Sequence, residues 1–207
     1  MRRSFPACPV LPLALLLFGL AFCARPAVAQ RGPAPLTHAQ FGVGWVGNAP
    51  DAVLGGTAYV IVPALGGIGL YVDAKFDASD PTDDRAYDAT VTSLEVAPLE
   101  SAHYNQTEGS WKSFNVAVIR PINPSFWVYA GGGVVKLTRY DLYDLDPDLE
   151  IGLGGLVWAE NPETAETRAN MMVGIMMRLS SRLTAQFGYE TQPNGVTAGF
   201  ALRLPAW

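Results

Sequence analysis

Apolar and polar positions alternate with a period of two over most of the chain. In "GVTAGFALRL", Val196, Ala198, Phe200, Leu202 and Leu204 share one phase, while Thr197, Gly199, Ala201 and Arg203 share the other. Successive side chains of a strand point to opposite faces, so this segment has one apolar face and one face of small and charged groups. Residues 67–76 repeat the pattern, setting Ile68, Leu70, Val72, Ala74 and Phe76 against Gly69, Tyr71, Asp73 and Lys75. Eight segments alternate or run apolar: 39–46, 57–62, 67–76, 111–120, 126–140, 168–179, 183–190 and 196–204. Most approach the roughly 9 to 11 residues with which a tilted strand crosses a bilayer, and the first two are short. No stretch carries a clear 3.6-residue period, and beyond the N-terminal run none nears the roughly 20 apolar residues of a helical span. The expected class is all-β.

The connections order these strands. "PALG", "PINPS" and "SSR" join the second to the third, the fourth to the fifth and the sixth to the seventh strand, all with turn-forming residues. The alternate connections are "GNAPDAVLGG", the long segments 77–110 and 141–167, and the shorter "TQPNG". Tight turns at one rim and longer loops at the other are the pattern of an up-and-down antiparallel barrel. Acid follows the same division, because sixteen of the nineteen Asp and Glu residues fall in the two long segments. Asp73 and Glu190 are the acids in or beside strands, and both occupy the polar phase.

Alternation fits either a soluble core or a lipid-facing wall, since both have period two. Composition of the polar phase separates them. A wet strand surface is rich in Lys, Glu and Thr, yet the whole chain has three lysines, and this phase holds Gly, Ala and single charges. Small residues with scattered opposite charges suit the crowded interior of a narrow barrel. Asp73, Lys75, Arg168, Arg178, Glu190 and Arg203 are the candidates for the lumen, with the apolar phase outward. Trp45, Phe76, Trp127, Tyr129, Tyr189 and Phe200 fall towards strand ends, where interfacial aromatic girdles sit.

At the N-terminus, Arg2 and Arg3 precede an apolar run that closes on Ala27-Val28-Ala29, the form of a secretory signal cut before Gln30. Both cysteines, Cys8 and Cys23, lie inside it, which excludes a disulfide scaffold and a cysteine metal site from residues 30–207. Without Arg2, Arg3 and Arg25, eleven basic residues face nineteen acidic ones, a formal −8 that argues against nucleic acid as a partner.

Together, the signal, eight strands, alternating turns and loops, and a terminal aromatic resemble the small eight-stranded outer-membrane β-barrels, similar to the OmpA transmembrane domain and OmpX. The resemblance covers residues 30–207 as architecture. It implies a transmembrane barrel in a bacterial outer membrane, with lipid and the barrel insertion machinery as partners, and a monomer. In that family the last strand ends on an aromatic that the machinery reads. Gly199, Phe200, Leu202, Leu204 and Trp207 resemble that signal, although Pro205 interrupts the strand and Trp207 is out of phase with Phe200 and Leu202.

Candidate chemistry is sparse. His38 precedes the first strand, and His103 lies in a long segment with Ser101 and Ser110 nearby. No nucleophile elbow, zinc-binding His pair or phosphate loop is present, so no catalytic residue, cofactor or metal site is expected. "DLYDLDPDLE" spaces Asp144, Asp146 and Asp148 at alternate positions but has Pro147 where a calcium loop needs Gly, so it reads as a solvated acidic loop that could recruit divalent cations. The glycines 131–133 lie within a strand and are expected to allow close strand approach. "NQT" at Asn105 is a glycosylation triplet by chance if the host is bacterial. The expected function is a structural or interaction barrel without an enzymatic site. A soluble periplasmic barrel holding an apolar ligand, with its apolar phase inward, and a lipid-modifying barrel enzyme using His103 are the alternatives.

Overall fold

A computed structural model describes residues 38–49, 53–77, 81–84, 86–145 and 155–204. The expected signal at 1–29, Asp146, Asp148, Pro205 and Trp207 lie outside the described residues. Among the described residues nine strands form: β1 (Gln40–Ala49), β2 (Val53–Ile61), β3 (Gly69–Asp77), β4 (Tyr87–Thr92), β5 (Ala102–Asn123), β6 (Phe126–Leu145), β7 (Gly155–Arg178), β8 (Leu183–Thr191) and β9 (Asn194–Leu204). A single helical turn, α1 (Ser93–Val96), follows β4.

All strands but β4 pair antiparallel with their neighbours in sequence, and β1 pairs with β9 from Phe41↔Leu204 to Ala49↔Val196 to close the ring. The sheet is therefore an eight-stranded up-and-down barrel with no open edge in its wall. Side chains stabilise the tight connections. Asn123 Oδ1 accepts the amides of Ser125 and Phe126 at 2.8 and 3.0 Å, and Ser180 Oγ accepts those of Arg182 and Leu183. Such short polar side chains supply a turn's hydrogen bonds locally. Gly66, with φ of 70°, ends the 3₁₀ turn Pro63–Leu65 in the left-handed region where a side chain would be strained.

The wall is apolar outside. Trp45, Leu54, Phe76, Phe114, Phe200 and Leu202 are each about half exposed or more, while Tyr71, Asn115 and Glu190 are wholly buried in the opposite phase. The apolar phase is thus outward, opposite to what a soluble barrel around an apolar ligand requires. Inside, Tyr59, Ile61, Tyr71, Ile119, Trp127, Tyr129 and Met176 pack into one cluster. Trp127 and Tyr129, expected in an interfacial girdle, belong to this lumen core instead. Strand-end position does not decide orientation; parity does, and both share the phase of Gly131 and Gly133. Those two glycines are needed, because a Cβ would come within 2.0 Å of Val116 O at Gly131 and 1.9 Å of Phe114 O at Gly133. Close strand approach, as expected for them, is what the barrel has here.

The segments read as long loops are mostly strand. β5, β6 and β7 run 22, 20 and 24 residues and continue past the barrel as a three-stranded sheet. Pairing with β3 stops at Phe76↔Lys112 and with β8 at Met172↔Glu190, while β5, β6 and β7 stay paired up to Leu145↔Gly155. Period-two reading misses this sheet because "AHYNQTEGS" is polar in both phases and β7 carries an irregularity between Asn161 and Glu166, around Pro162. Residues 86–97 clasp it. β4 pairs parallel with β7, Val96 of α1 packs with Tyr143, Leu145, Val157 and Ala159, and Trp158 of β7 packs with Tyr140, Leu142 and Tyr87.

Candidate functional site

Two polar features stand out on this frame, one inside the wall and one on the sheet above it. In the lumen, β3 supplies Asp73 and Lys75 two residues apart and therefore on one face, and β8 supplies Glu190 from across the barrel. Lys75 Nζ donates to Asp73 Oδ1 at 2.8 Å and to Glu190 Oε1, with all three side chains at 1% exposure or less. Asn115 Nδ2 donates to Asp73 Oδ1 at 2.9 Å, and Asn170 Nδ2 donates to Asn115 Oδ1 at 2.8 Å and to Glu190 Oε2 at 3.3 Å. The Thr191 hydroxyl and the Gln192 amide donate to Asn170 Oδ1, tying the network to the β8–β9 connection. Burying one ammonium against two carboxylates is tolerable only with these extra bonds, since low dielectric makes an unpaired charge costly. Below the network Tyr71 stacks on Tyr129 with centroids 4.8 Å apart, within the buried cluster of the lumen. Gly174 and Gly188 make room for Tyr129, whose ring or hydroxyl would lie within 2.4 Å of a Cβ at either.

The structure brings Asp73, Lys75 and Glu190 together as their shared phase implies, and separates the arginines. Arg178 and Arg203 face the opposite, tight-turn end of the lumen. There the Arg178 guanidinium lies 5.6 Å from the Trp127 ring centroid and Nη2 donates to Pro124 O. Arg168 is not a lumen residue. It stands on β7 beyond the last β8 pairing, so no wall encloses it, and it pairs with Glu166 in the open. Sequence reasoning missed Asn115 as a member of the network and gave Asn170 no role. The available signal was a lone amide in the inward phase of each strand.

On the protruding sheet the acids are fixed rather than gathered. Asp141 accepts from Thr107 Oγ1 and, at 2.6 Å, from Asn161 Nδ2. The amide and hydroxyl of Thr92 donate to Glu95, closing a capping box on α1, and these bonds hold the Glu95 carboxyl below its ordinary range. Thr90, through hydroxyl and amide, does the same for Asp88. Burial, followed by the charge of Asp141, pushes the Tyr143 phenol up. Among the described residues no group of three or more His, Cys, Asp or Glu is placed to hold a metal ion. His103 is exposed opposite Asp144. Ser110 is buried seven residues further along β5, roughly 23 Å away at the rise of a strand, so this His and Ser do not meet. Ser101 lies in the turn before β5, and His38 is exposed beside the start of β1. Asn105 is the extra residue at a bulge between Tyr104 and Gln106.

No protein-family model matches the chain, and no curated protein matches it. Among solved structures it is similar to Ail, the attachment invasion locus protein of Yersinia pestis, at 10% identity and a TM-score of 0.38, covering 81% of this chain and 96% of that one. A second structure of Ail, in complex with the heparin analogue sucrose octasulfate, matches at 11% identity and a TM-score of 0.37, covering 80% and 93%. The architecture rests on the strand pairing described above and not on this likeness.

Proposed function

We propose that the chain is an outer-membrane barrel whose wall anchors it in lipid and whose acidic sheet at the loop end is presented for interaction, without catalysis. The outward apolar phase carries this reading. Trp45 is 63% exposed, Phe76 55% and Phe114 53%, a surface that water would penalise and lipid would not. With strands of 9 to 11 residues on one side, the wall matches a hydrocarbon core. The basic and apolar pattern of residues 1–29 supports export, and insertion by the barrel machinery as a monomer belongs to this reading. A lumen filled by side chains does not suit wide diffusion. The acidic loop end favours divalent cations or cationic partners over anionic ones.

Membranes from expressing cells, washed with carbonate and run on a denaturing gel with and without boiling, test the anchor. Retention in the pellet with a faster-migrating unboiled form is expected. Recovery in the soluble fraction with a single band would sink the membrane reading.

A further inference from the structure

The tight-turn end of the barrel has a charge imbalance that the anchoring role does not use. Among the described residues, no Asp or Glu lies in 38–49, 53–72, 113–135, 170–189 or 191–204, whereas Arg120, Arg178, Arg182 and Arg203 do. Arg178 and Arg203 share the inward phase on β7 and β9, with only β8 between them. Arg178 pairs with Thr184, and Thr184 with Ala201, two residues before Arg203. Arg178 and Arg203 each have a buried Nε that no protein acceptor reaches. Arg182, whose carbonyl accepts the Arg203 amide at 2.8 Å, is exposed at the same rim. Two cations on the same inward face, one strand between them, each with an unfilled buried donor, are complementary to an anion that accepts from both. A planar guanidinium offers paired N–H groups that match the oxygens of phosphate.

We propose that Arg178 and Arg203 form a phosphate-binding site at the tight-turn mouth of the lumen, occupied by a phospholipid headgroup or by free phosphate. Arg178 is pre-positioned by its place over the Trp127 ring and its bond to Pro124 O, which leave its buried Nε without a partner. Arg203 approaches from β9, beside Tyr59, whose hydroxyl is already engaged with Thr184 Oγ1 at 3.1 Å. This site goes beyond the anchoring role, and the measurement below reads it whether or not the barrel is in a bilayer.

The full barrel, refolded in an uncharged maltoside detergent and phosphate-free buffer, would be followed through its arginine Nε–Hε resonances in ¹⁵N spectra. It would be titrated with inorganic phosphate and, separately, with phosphatidylglycerol. Saturable movement of the Arg178 and Arg203 signals is expected, while Arg139 and Arg168 at the other end stay still. Response to lipid alone assigns a headgroup, and response to inorganic phosphate assigns a free anion; either supports the site. Arg178→Gln or Arg203→Gln should weaken binding about tenfold or more. Should either variant fail to fold, assignment through backbone-linked spectra of the unaltered protein keeps the test intact. No movement in either titration, or equal movement of Arg120 and Arg182 without saturation, overturns the proposal.

Discussion

Lys75 is the residue on which the lumen network depends. Its ammonium is the one cation described between Asp73 and Glu190, and Asn115 and Asn170 only distribute hydrogen bonds around the two carboxylates. Lys75→Met would leave two buried carboxylates facing each other, and breaking a buried ionic set in this way costs about 3–5 kcal/mol. Replacing the set together, as Asp73→Asn, Lys75→Met and Glu190→Gln, should recover most of that loss, because uncharged groups need no counterion there. Urea unfolding in detergent, read by tryptophan fluorescence, compares the two. Equal stability of Lys75→Met and the unaltered barrel would show that the network does not contribute. These three residues were legible in the sequence, since each is a charge in the inward phase of a wall strand. Arg168 shares that parity but sits outside the lumen. Parity gives direction along a strand and says nothing about where the neighbouring strand stops.

At the scale of elements the contrast lies between the wall and the sheet above it. Wall strands were readable because an apolar outer face and a packed polar interior place different chemistry on alternate residues. The extensions of β5, β6 and β7 have water on much of their surface, so their alternation is weak and they read as loops. What orders them is pairing over many residues together with the clasp of β4 and α1, and pairing partners are not visible in one strand's composition. α1 is four residues long and could not persist alone, so its capping box and the burial of Val96 hold it. The Glu95 carboxyl titrates below its ordinary 4.5 because the Thr92 amide and hydroxyl donate to it. A lowered folded-state value means the stabilisation is complete above pH 4.5 and is lost as pH falls through the lowered value. Protection factors for amide exchange at Thr92 and Val96, taken against the intrinsic rate at each pH, should therefore fall below that point while those of β8 and β9 hold. Glu95→Gln, which keeps an acceptor but no charge, should flatten the dependence.

For the whole molecule, the decisive property is that its two chemical gradients run along different directions. Polarity changes radially, with ions and amides inside and apolar groups outside. Charge changes along the axis, from a tight-turn end with arginines and no described acids to the protruding sheet and its clasp, which bear Glu95, Glu100, Glu108, Asp144, Glu160 and Glu163. A radial inversion needs an apolar solvent, and an axial one gives the barrel a defined sense across that solvent. Depth along the wall is therefore testable. Val116 faces outward opposite Val72 near mid-wall, and Phe76 faces outward at the end of β3. In a bilayer Val116→Arg should cost about 2–4 kcal/mol and Phe76→Arg about 1 kcal/mol or less, because the cost of a lipid-facing cation falls from the midplane to the interface. Folding free energies of both variants into phosphatidylcholine vesicles, measured by reversible denaturant titration, give this ratio directly. Equal, near-zero effects at the two positions would mean that water already covers the wall, and the outward apolar phase would then require a protein partner in place of lipid.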